Sequence, residues 1–449
     1  MNRGATERHG LAERLSALAA DEKWSFHDWM PREHLHGLFQ YPAMMVPQMQ
    51  RELMVAMGEE CSVSCAYDPF VGSGTTMAEA MLLGLDFAGS DINPLAVLLC
   101  RTKAGPFQPA ALMRAGERVL ARARRSRRTR VELPMGAWDK WFRDDVAVGL
   151  VRLREAIRVE PRLAARRFMW VALAETVRLV SNSRTSTVKL HIRPAHEIRE
   201  RQIDVFGVFT RTLRQNLERF AEQAQALRDE GLLTDHGHYT ASVEIHLHDV
   251  CAGPCPGLVE QPSAMLVSSP PYGDNQTTVS YGQHAYLPLQ WIDLHDIDEC
   301  ADRRYLANTH AIDALSVGSP IRGALDAVIG VRAASPTLDR TLSALASRPA
   351  DRAARVAAFW RDMDASLGHI MAGLSSGAVM AWTVGNRRVG GMEIPMDQIL
   401  VELLEHRGAE ALVSLSRRIP DCRKRMASRN SIAVTMSSEK VIVMRYTGT

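Results

Sequence analysis

Residues 66–94, AYDPFVGSGTTMAEAMLLGLDFAGSDINP, restrict the fold more than any other stretch of the chain. The strand-like run SVSCAYDPF leads into a turn carrying Gly72 and Gly74. A helix-like run, TTMAEAMLLGL, follows, and a short second strand, DFAGSDI, ends at Asp91 and Ile92. Apolar runs of four to eight residues between turn signals read as buried strands, and longer 3.6-periodic runs read as helices. By the same rule VEIHLHDV, SAMLVSSPPY and GAVMAWTVGN are strands, and MDQILVELLEHRG is a helix. EALVSLSRRI and EKVIVMRY close the chain as a hairpin. Strands alternating with helices predict an α/β fold with a mostly parallel sheet, and the closing hairpin predicts an antiparallel edge.

Two stretches break this rhythm and divide the chain. Residues 108–240 are mainly helix-like and separate the second strand from the third. Residues 296–355 form a smaller, Ala- and Arg-rich insertion. The expected organisation is therefore a nucleotide-binding half over 1–107, a helical insertion over 108–240 and a second half over 241–449. In α/β sheets ligands bind at the carboxyl ends of the strands, and the insertions are expected to hang there. The formal charge of +3 hides an asymmetry, because residues 111–201 hold 22 Lys and Arg against 10 Asp and Glu. A solvated helix face would explain one such run. A whole segment of one sign in an otherwise acidic chain favours a polyanionic partner.

No run approaches the roughly 20 apolar residues of a membrane span, and the first residues lack the apolar core of a signal peptide. The expectation is a cytoplasmic protein without membrane contact. Seven cysteines at irregular spacing make no disulfide framework. Cys61 with Cys65, and Cys251 with Cys255, are C-x3-C pairs without a second pair at finger-like distance, so no metal site is expected.

The glycine turn has no lysine where a P-loop needs one, and Met77 stands where a dinucleotide turn needs its third glycine. Gly72 and Gly74 let backbone approach a ligand without Cβ in the way. Asp91, 19 residues after Gly72, is placed to accept hydrogen bonds from ribose hydroxyls. A nucleoside without pyrophosphate, S-adenosyl-L-methionine, suits these features; NAD or a structural turn stays open on the loop alone. At the end of another strand, SSPPYGDNQ spans residues 268–276. Its prolines, Pro270 and Pro271, fix φ and leave carbonyls without neighbouring N–H donors. The Ser269 hydroxyl and the Pro270 carbonyl can accept both protons of one amino group, and Tyr272 offers a flat face to a base.

Together these stretches resemble the amino-methylating DNA methyltransferases, which modify cytosine N4 or adenine N6. DPFVGSGTT is similar to their cofactor motif and SSPPY to their catalytic motif; the Ser form is more usual in cytosine-N4 enzymes. HGLFQYPAMMVPQM is similar to the segment ahead of the cofactor motif, although Met44 stands where that segment commonly has lysine. The resemblance covers most of residues 35–446. It implies a Rossmann-like class I methyltransferase fold with a seven-stranded, mostly parallel sheet. It implies S-adenosyl-L-methionine held by Tyr41 and Pro42, by Asp68, Phe70, Gly72, Ser73, Gly74, Thr75 and Thr76, and by Asp91, Ile92 and Asp249. Ser269, Pro270, Pro271 and Tyr272 would be catalytic. Double-stranded DNA is the implied partner, with room for a companion restriction endonuclease. Cytosine-C5 methylation, which needs a thiolate nucleophile, is set aside, and none of the seven cysteines is assigned that role. Adenine-N6 methylation, an RNA base methyltransferase and a catalytically silent DNA-binding protein stand as alternatives. Neither recognition sequence nor oligomeric state is written in these motifs.

For DNA contact the reading selects the basic insertion, with Arg124, Arg125, Arg127 and Arg128 against phosphates. Asn182, Arg184, Thr185 and Lys189, in a segment similar to one of prokaryotic site-specific methylases, would meet phosphates or base edges. The run RRIPDCRKRMASR, with Arg417, Arg418, Arg423, Lys424 and Arg425, is read as a backbone clamp. GDNQTTVSYGQHAY after the catalytic motif is read as a lid, with His284 a hydrogen-bonder within it.

Overall fold

The computed structural model describes residues 3–20, 22–26, 33–60, 63–133, 135–258, 264–419 and 436–448. Among them are nine strands: β1 (Cys65–Asp68), β2 (Asp86–Asp91), β3 (Val243–Leu247), β4 (Ala264–Ser268), β5 (Val379–Val384), β6 (Arg387–Val389), β7 (Met392–Ile394), β8 (Ala409–Arg418) and β9 (Ser438–Tyr446). Seven form one sheet in the order β3-β2-β1-β4-β5-β9-β8, and β6 with β7 forms a separate hairpin that the sequence reading missed. The pairings among β3, β2, β1, β4 and β5 are parallel. β9 runs antiparallel between β5 and β8, as the closing hairpin predicts. The fold is the expected Rossmann-like one. β1, β4 and β5 are buried along their whole length. Helices cover both faces of a parallel sheet, so its strands are apolar throughout rather than alternating.

The chain steps outward from β1 through β2 to β3, then returns to lay β4 on the other side of β1. The carboxyl ends of β1 and β4 therefore flank the switch point, where an open α/β sheet has a ready crevice. The glycine turn leaves β1 and the Ser-Pro-Pro-Tyr turn leaves β4, so strand order alone brings the two motifs together.

On one face lie α1 (Pro47–Glu60), α2 (Thr75–Leu82) and α3 (Pro94–Lys103). Asn93 caps α3 by accepting from the Leu95 amide at 3.0 Å, and Pro94 sits where the missing N–H costs nothing. A helix linking two parallel strands runs back to their amino ends, and this one delivers the chain there. The large insertion accordingly leaves and re-enters at the amino end of the sheet. The Phe107 amide donates to the Gly237 carbonyl at 2.7 Å, and the Tyr239 hydroxyl to the Leu85 carbonyl, just before β2, at 2.9 Å. The expectation that it hangs from the carboxyl ends is corrected by that geometry.

The insertion is built from α4 (Pro109–Arg125), α5 (Asp144–Arg158), α6 (Leu163–Val180) and α7 (Val205–Asp229). α6 packs on α3, α7 on α6 and α4, and α5 against α4. Phe107 stacks on Phe220, which meets Phe168 edge-on, so the insertion shares one apolar core with that face of the sheet. The 18 residues of α6 span about 27 Å. That length carries the loop 183–192 to the carboxyl end of the sheet, where the Leu190 amide bonds the Gln283 side chain at 3.2 Å. The other face is covered by α8 (Ala350–Ala372) and α9 (Met396–Glu405) around a second core containing Trp360 and Trp382. No helix among the described residues is long and apolar enough to cross a membrane, and no His, Cys, Asp and Glu cluster there could hold a metal ion.

Candidate functional site

A cavity of about 790 Å³ opens over the carboxyl ends of β1 to β5. Its size falls in the roughly 300–1,000 Å³ range of ligand pockets. Val71, Gly72, Ser73 and Thr75 reach it from the glycine turn, and Ser269 to Tyr272 from the turn after β4. Asp91 and Ile92 enter from β2, and Asp249 from the segment after β3. One continuous space thus joins both sequence motifs.

The glycine turn is tied to its neighbours at several points. The Val71 amide donates to the Ser90 carbonyl at 3.0 Å, and Thr76 Oγ1 to the Val267 carbonyl of β4 at 3.1 Å. Gly74 has φ +74°, and a Cβ there would come within 2.9 Å of Cys100 Sγ, so both backbone and space require glycine. Asp68 is wholly buried; its Oδ1 accepts from Ser268 Oγ at 2.6 Å and the Phe70 amide at 3.0 Å. Burial pushes its pKa up to about 6 against those hydrogen bonds. Asp68 therefore joins the two turns rather than lining the cavity. Pro42, Gly74 and Thr76 likewise stand behind the wall, whereas Tyr41, Phe70, Gly72, Ser73, Thr75, Asp91, Ile92 and Asp249 form it.

Asp91 uses both oxygens on backbone: Oδ2 accepts from the Gly72 amide at 2.9 Å and Oδ1 from the Asn93 amide at 2.8 Å. Each oxygen keeps a further lone pair, and burial holds the pKa up at about 6 despite those donors. Asp249 Oδ1 accepts from the Cys251 amide at 2.9 Å. Tyr41 stacks on Tyr281, ring centroids 5.7 Å apart, while Asn93 Nδ2 donates to its hydroxyl at 3.2 Å. Two strand-end carboxylates beside Phe70, Ile92 and Val250 present acceptors next to apolar surface. That donor set fits the hydroxyls and ring of a nucleoside such as S-adenosyl-L-methionine.

In the turn after β4, Ser269 Oγ lies 3.2 Å from the Tyr272 hydroxyl. Burial raises the Tyr272 pKa, so the phenol stays protonated. Arg387 lies across Gly273 (φ +140°), leaving no space for a Cβ, and bonds Asp274 Oδ2 at 3.3 Å. The expected lid is a run of turns over 273–280 that enters a helix, Tyr281–Trp291, starting at the cavity wall. His284 is buried in it and donates Nε2–H to the Gln40 carbonyl at 2.9 Å; burial lowers its pKa to about 4. It ties the helix to the segment before Tyr41 and does not line the cavity.

Cys255 follows Pro254, a Pro-Cys pair that the sequence reading passed over. The thiol is buried, its pKa is raised by burial, and it lies outside the cavity wall. The reading also missed Lys103, a single lysine with no motif around it. It is buried beneath the glycine turn, with Nζ 2.5 Å from the Ser73 carbonyl and its pKa lowered to about 8 by desolvation. Met44, Met45, Ile312 and Val317 complete apolar wall, the last two from the smaller insertion.

The DNA candidates separate. Arg184 and Lys189 are exposed on the loop 183–192 at the cavity-bearing end, with Arg184 3.9 Å from Glu197. Thr185 is half-buried there. Asn182 is buried, its amide bonded to the Trp141 carbonyl at 2.7 Å, so it braces the loop instead of facing DNA. Arg124, Arg125, Arg127 and Arg128 are exposed at and beyond the end of α4, with the Arg128 carbonyl held by Arg152. Arg417 is buried and paired with Glu439 at 2.7 Å, which corrects its reading as a clamp. Arg418 is exposed on β8, and Arg423, Lys424 and Arg425 lie outside the described residues.

No protein-family model and no solved structure matches the chain. Two curated proteins do. Type II methyltransferase M.MjaII of Methanocaldococcus jannaschii is 31% identical over 71 residues, 16% of this chain and 13% of that protein. Type II methyltransferase M.MvaI of Kocuria varians is 30% identical over 436 residues, covering 92% of this chain and 91% of its own. With near-complete coverage of both lengths, and the two motifs in one cavity, the chain belongs to the Type II DNA methyltransferases.

Proposed function

We propose that this DNA methyltransferase acts on the exocyclic amine of a base turned out of the duplex, cytosine N4, with S-adenosyl-L-methionine as methyl donor. One observation carries the reading: the glycine turn with Asp91 and the turn Ser269–Tyr272 open into a single cavity large enough for a nucleoside ligand beside a base. The cofactor, held by Asp91, Asp249 and the glycine turn, supplies an electrophilic sulfonium methyl.

The protein's own task is to make a poor nucleophile ready. An exocyclic amine is weak because its lone pair is delocalised into the ring. Ser269 Oγ and the Pro270 carbonyl accept hydrogen bonds from the two amino hydrogens and favour a pyramidal nitrogen. Positioning and fixed dipoles supply the catalysis. Turning the base out costs a few kcal/mol, part of which the Tyr272 face returns by stacking. The Ser-Pro-Pro-Tyr form supports cytosine over adenine. A companion endonuclease of the same site preference fits the Type II family.

The test is mass analysis of nucleosides from duplex DNA incubated with the purified protein and S-adenosyl-L-methionine. N4-methylcytosine is the expected product. N6-methyladenine would overturn the choice of base, and methylated transfer RNA with unmodified DNA would overturn DNA as the substrate.

A further inference from the structure

We propose that the β6–β7 hairpin and the start of α8 form a phosphate-contacting edge for the DNA strand that carries the target base. The hairpin leaves β5 at the cavity, where Val384, Gly385, Asn386, Arg387 and Arg388 all reach the wall. Gly385 packs between Met436 and the ring of Tyr272, and a Cβ there would overlap Met436 Sδ and come within 3.0 Å of Tyr272 Cε2, closer than ordinary contact. A base that reaches Tyr272 brings its own flanking phosphates to the mouth of this cavity, beside that hairpin. The inference therefore rests on the base-turning reading above.

The edge is built rather than incidental. Arg387 fixes the root: it lies over Gly273 and bonds Asp274, which Arg355 also approaches at 3.5 Å. At the tip, Arg348 Nη1 donates to the Gly390 carbonyl at 2.6 Å. The Arg352 guanidinium packs against Gly390 so closely that a Cβ there would overlap it. With Gly390 at φ +61° and Gly391 at φ +84°, the turn is one that glycine alone adopts readily.

The charges around this edge decide what it fits. Arg348 and Arg352 lie against the hairpin tip, Arg355 and Arg387 at its root and Arg388 on its rim, with Asp274, Asp351 and Glu393 as the neighbouring acids. Asp274 is already matched by Arg387 and Arg355, and Asp351 lies 4.0 Å from Arg355. Glu393 accepts from Asn386 Nδ2 at 3.4 Å. Among the described residues, Arg388 and Arg352 have no carboxylate within ion-pair distance, and Arg388 is exposed on the cavity rim. Glu393 stands directly across the hairpin from Arg388 without an ion pair between them, so these two unpaired cations beside a braced turn at the cavity are left to suit phosphate oxygens.

The test uses Arg388→Ala, Arg352→Ala, the double variant and Arg388→Lys in the full chain. Duplex affinity is read by fluorescence anisotropy over a salt series, with steady-state kinetics alongside. Each alanine should flatten the log–log salt slope by about 0.9, the share of one phosphate. The double variant should raise the KM for DNA on the order of tenfold with kcat largely kept, because a contact present before and during the reaction is lost. Arg388→Lys should restore most of the slope, since a phosphate accepts a point charge. A double variant that melts like the parent yet keeps slope and KM overturns the proposal. So does a kept slope with an altered site preference, which would put these side chains on base edges. The slope reads duplex contact whether or not a base is turned out, and that reading is tested separately through Tyr272 on mismatched DNA.

Discussion

Asp91 offers the sharpest test of how the cofactor is held. Its two oxygens already accept the Gly72 and Asn93 amides, at 2.9 and 2.8 Å, each keeps a further lone pair, and the residue lines the cavity. Hydrogen bonds from ribose hydroxyls to such a carboxylate contribute roughly 1.5–3 kcal/mol. Asp91→Ala should therefore weaken S-adenosyl-L-methionine by roughly 10- to 150-fold. Part of that loss would come from freeing the glycine turn, so alanine alone does not isolate the ligand contact. The proton does. With a folded pKa of about 6, raised by burial, the cofactor-free carboxyl is almost fully ionised at pH 7.5 and about one-tenth ionised at pH 5.

Hydroxyl donors favour the ionised form, so affinity should fall about tenfold between those two pH values. Asp91→Asn cannot titrate and should lose this dependence, whatever its affinity at pH 7.5. The linkage to folding has the opposite sign. A carboxyl whose pKa is raised stabilises the fold below its ordinary range, and that contribution is lost as pH rises through about 6. Asp91→Asn should thus gain stability relative to the parent on going from pH 5 to 7.5. Asp68, also held near 6 and chiefly by burial, stands behind the wall and titrates in both proteins, with only a minor contribution from the Asp91 charge that the variant removes. Calorimetric titration at the two pH values decides the matter. Equal pH dependence in parent and Asp91→Asn would refute a direct contact between Asp91 and the cofactor.

Other outcomes follow from the same geometry. Tyr272→Ala should keep cofactor affinity and lose methyl transfer, with a stacking loss of roughly 1–3 kcal/mol; a mismatched target base should recover part of the rate, and no recovery in a radiolabel-transfer assay would count against base turning. Lys103→Met removes the partner of the Ser73 carbonyl and should cost about 1–3 kcal/mol, read as a lowered Tm and a weaker cofactor complex; an unchanged melt would show that the buried ammonium does not hold the turn. If the large insertion touches about six phosphates, the salt slope of DNA binding should lie near −5. Neutralising Arg124, Arg125, Arg127 and Arg128 together should flatten it for all sequences alike, and an unchanged slope would leave that run a solvated surface. Arg184→Ala or Lys189→Ala should instead shift which sites are methylated, as read by sequencing modified DNA.

What was legible in the sequence was whatever a local pattern determines. Gly72 and Gly74, at positive φ between an apolar run and a helical one, and the paired prolines within Ser269 to Tyr272 at a strand end, announce their turns. Strand order then placed both motifs at one switch point without further information. Charge was a poorer guide, since a sequence shows that a cation exists and not which acid lies beside it. Arg417 looked like part of a clamp, but Glu439, 22 residues on in the paired strand β9, neutralises it. Asn182 looked like a base reader, yet the Trp141 carbonyl brings it inside. The isolated Arg388 drew no notice, although the fold sets it on the rim of the catalytic cavity. Lys103 was hidden for the same reason, because its partner is a backbone carbonyl 30 residues away. The direction of a linking helix had a larger effect than any of these. Because α3 returns the chain to the amino end of the sheet, the basic insertion must climb the length of α6 to present Arg184 and Lys189 at the cavity-bearing end. Its Arg124–Arg128 run stays at and beyond the end of α4, which packs against α5. If Arg184 and Lys189 choose the sequence and the Arg124–Arg128 run adds general backbone affinity, variants in the two places should separate the two effects.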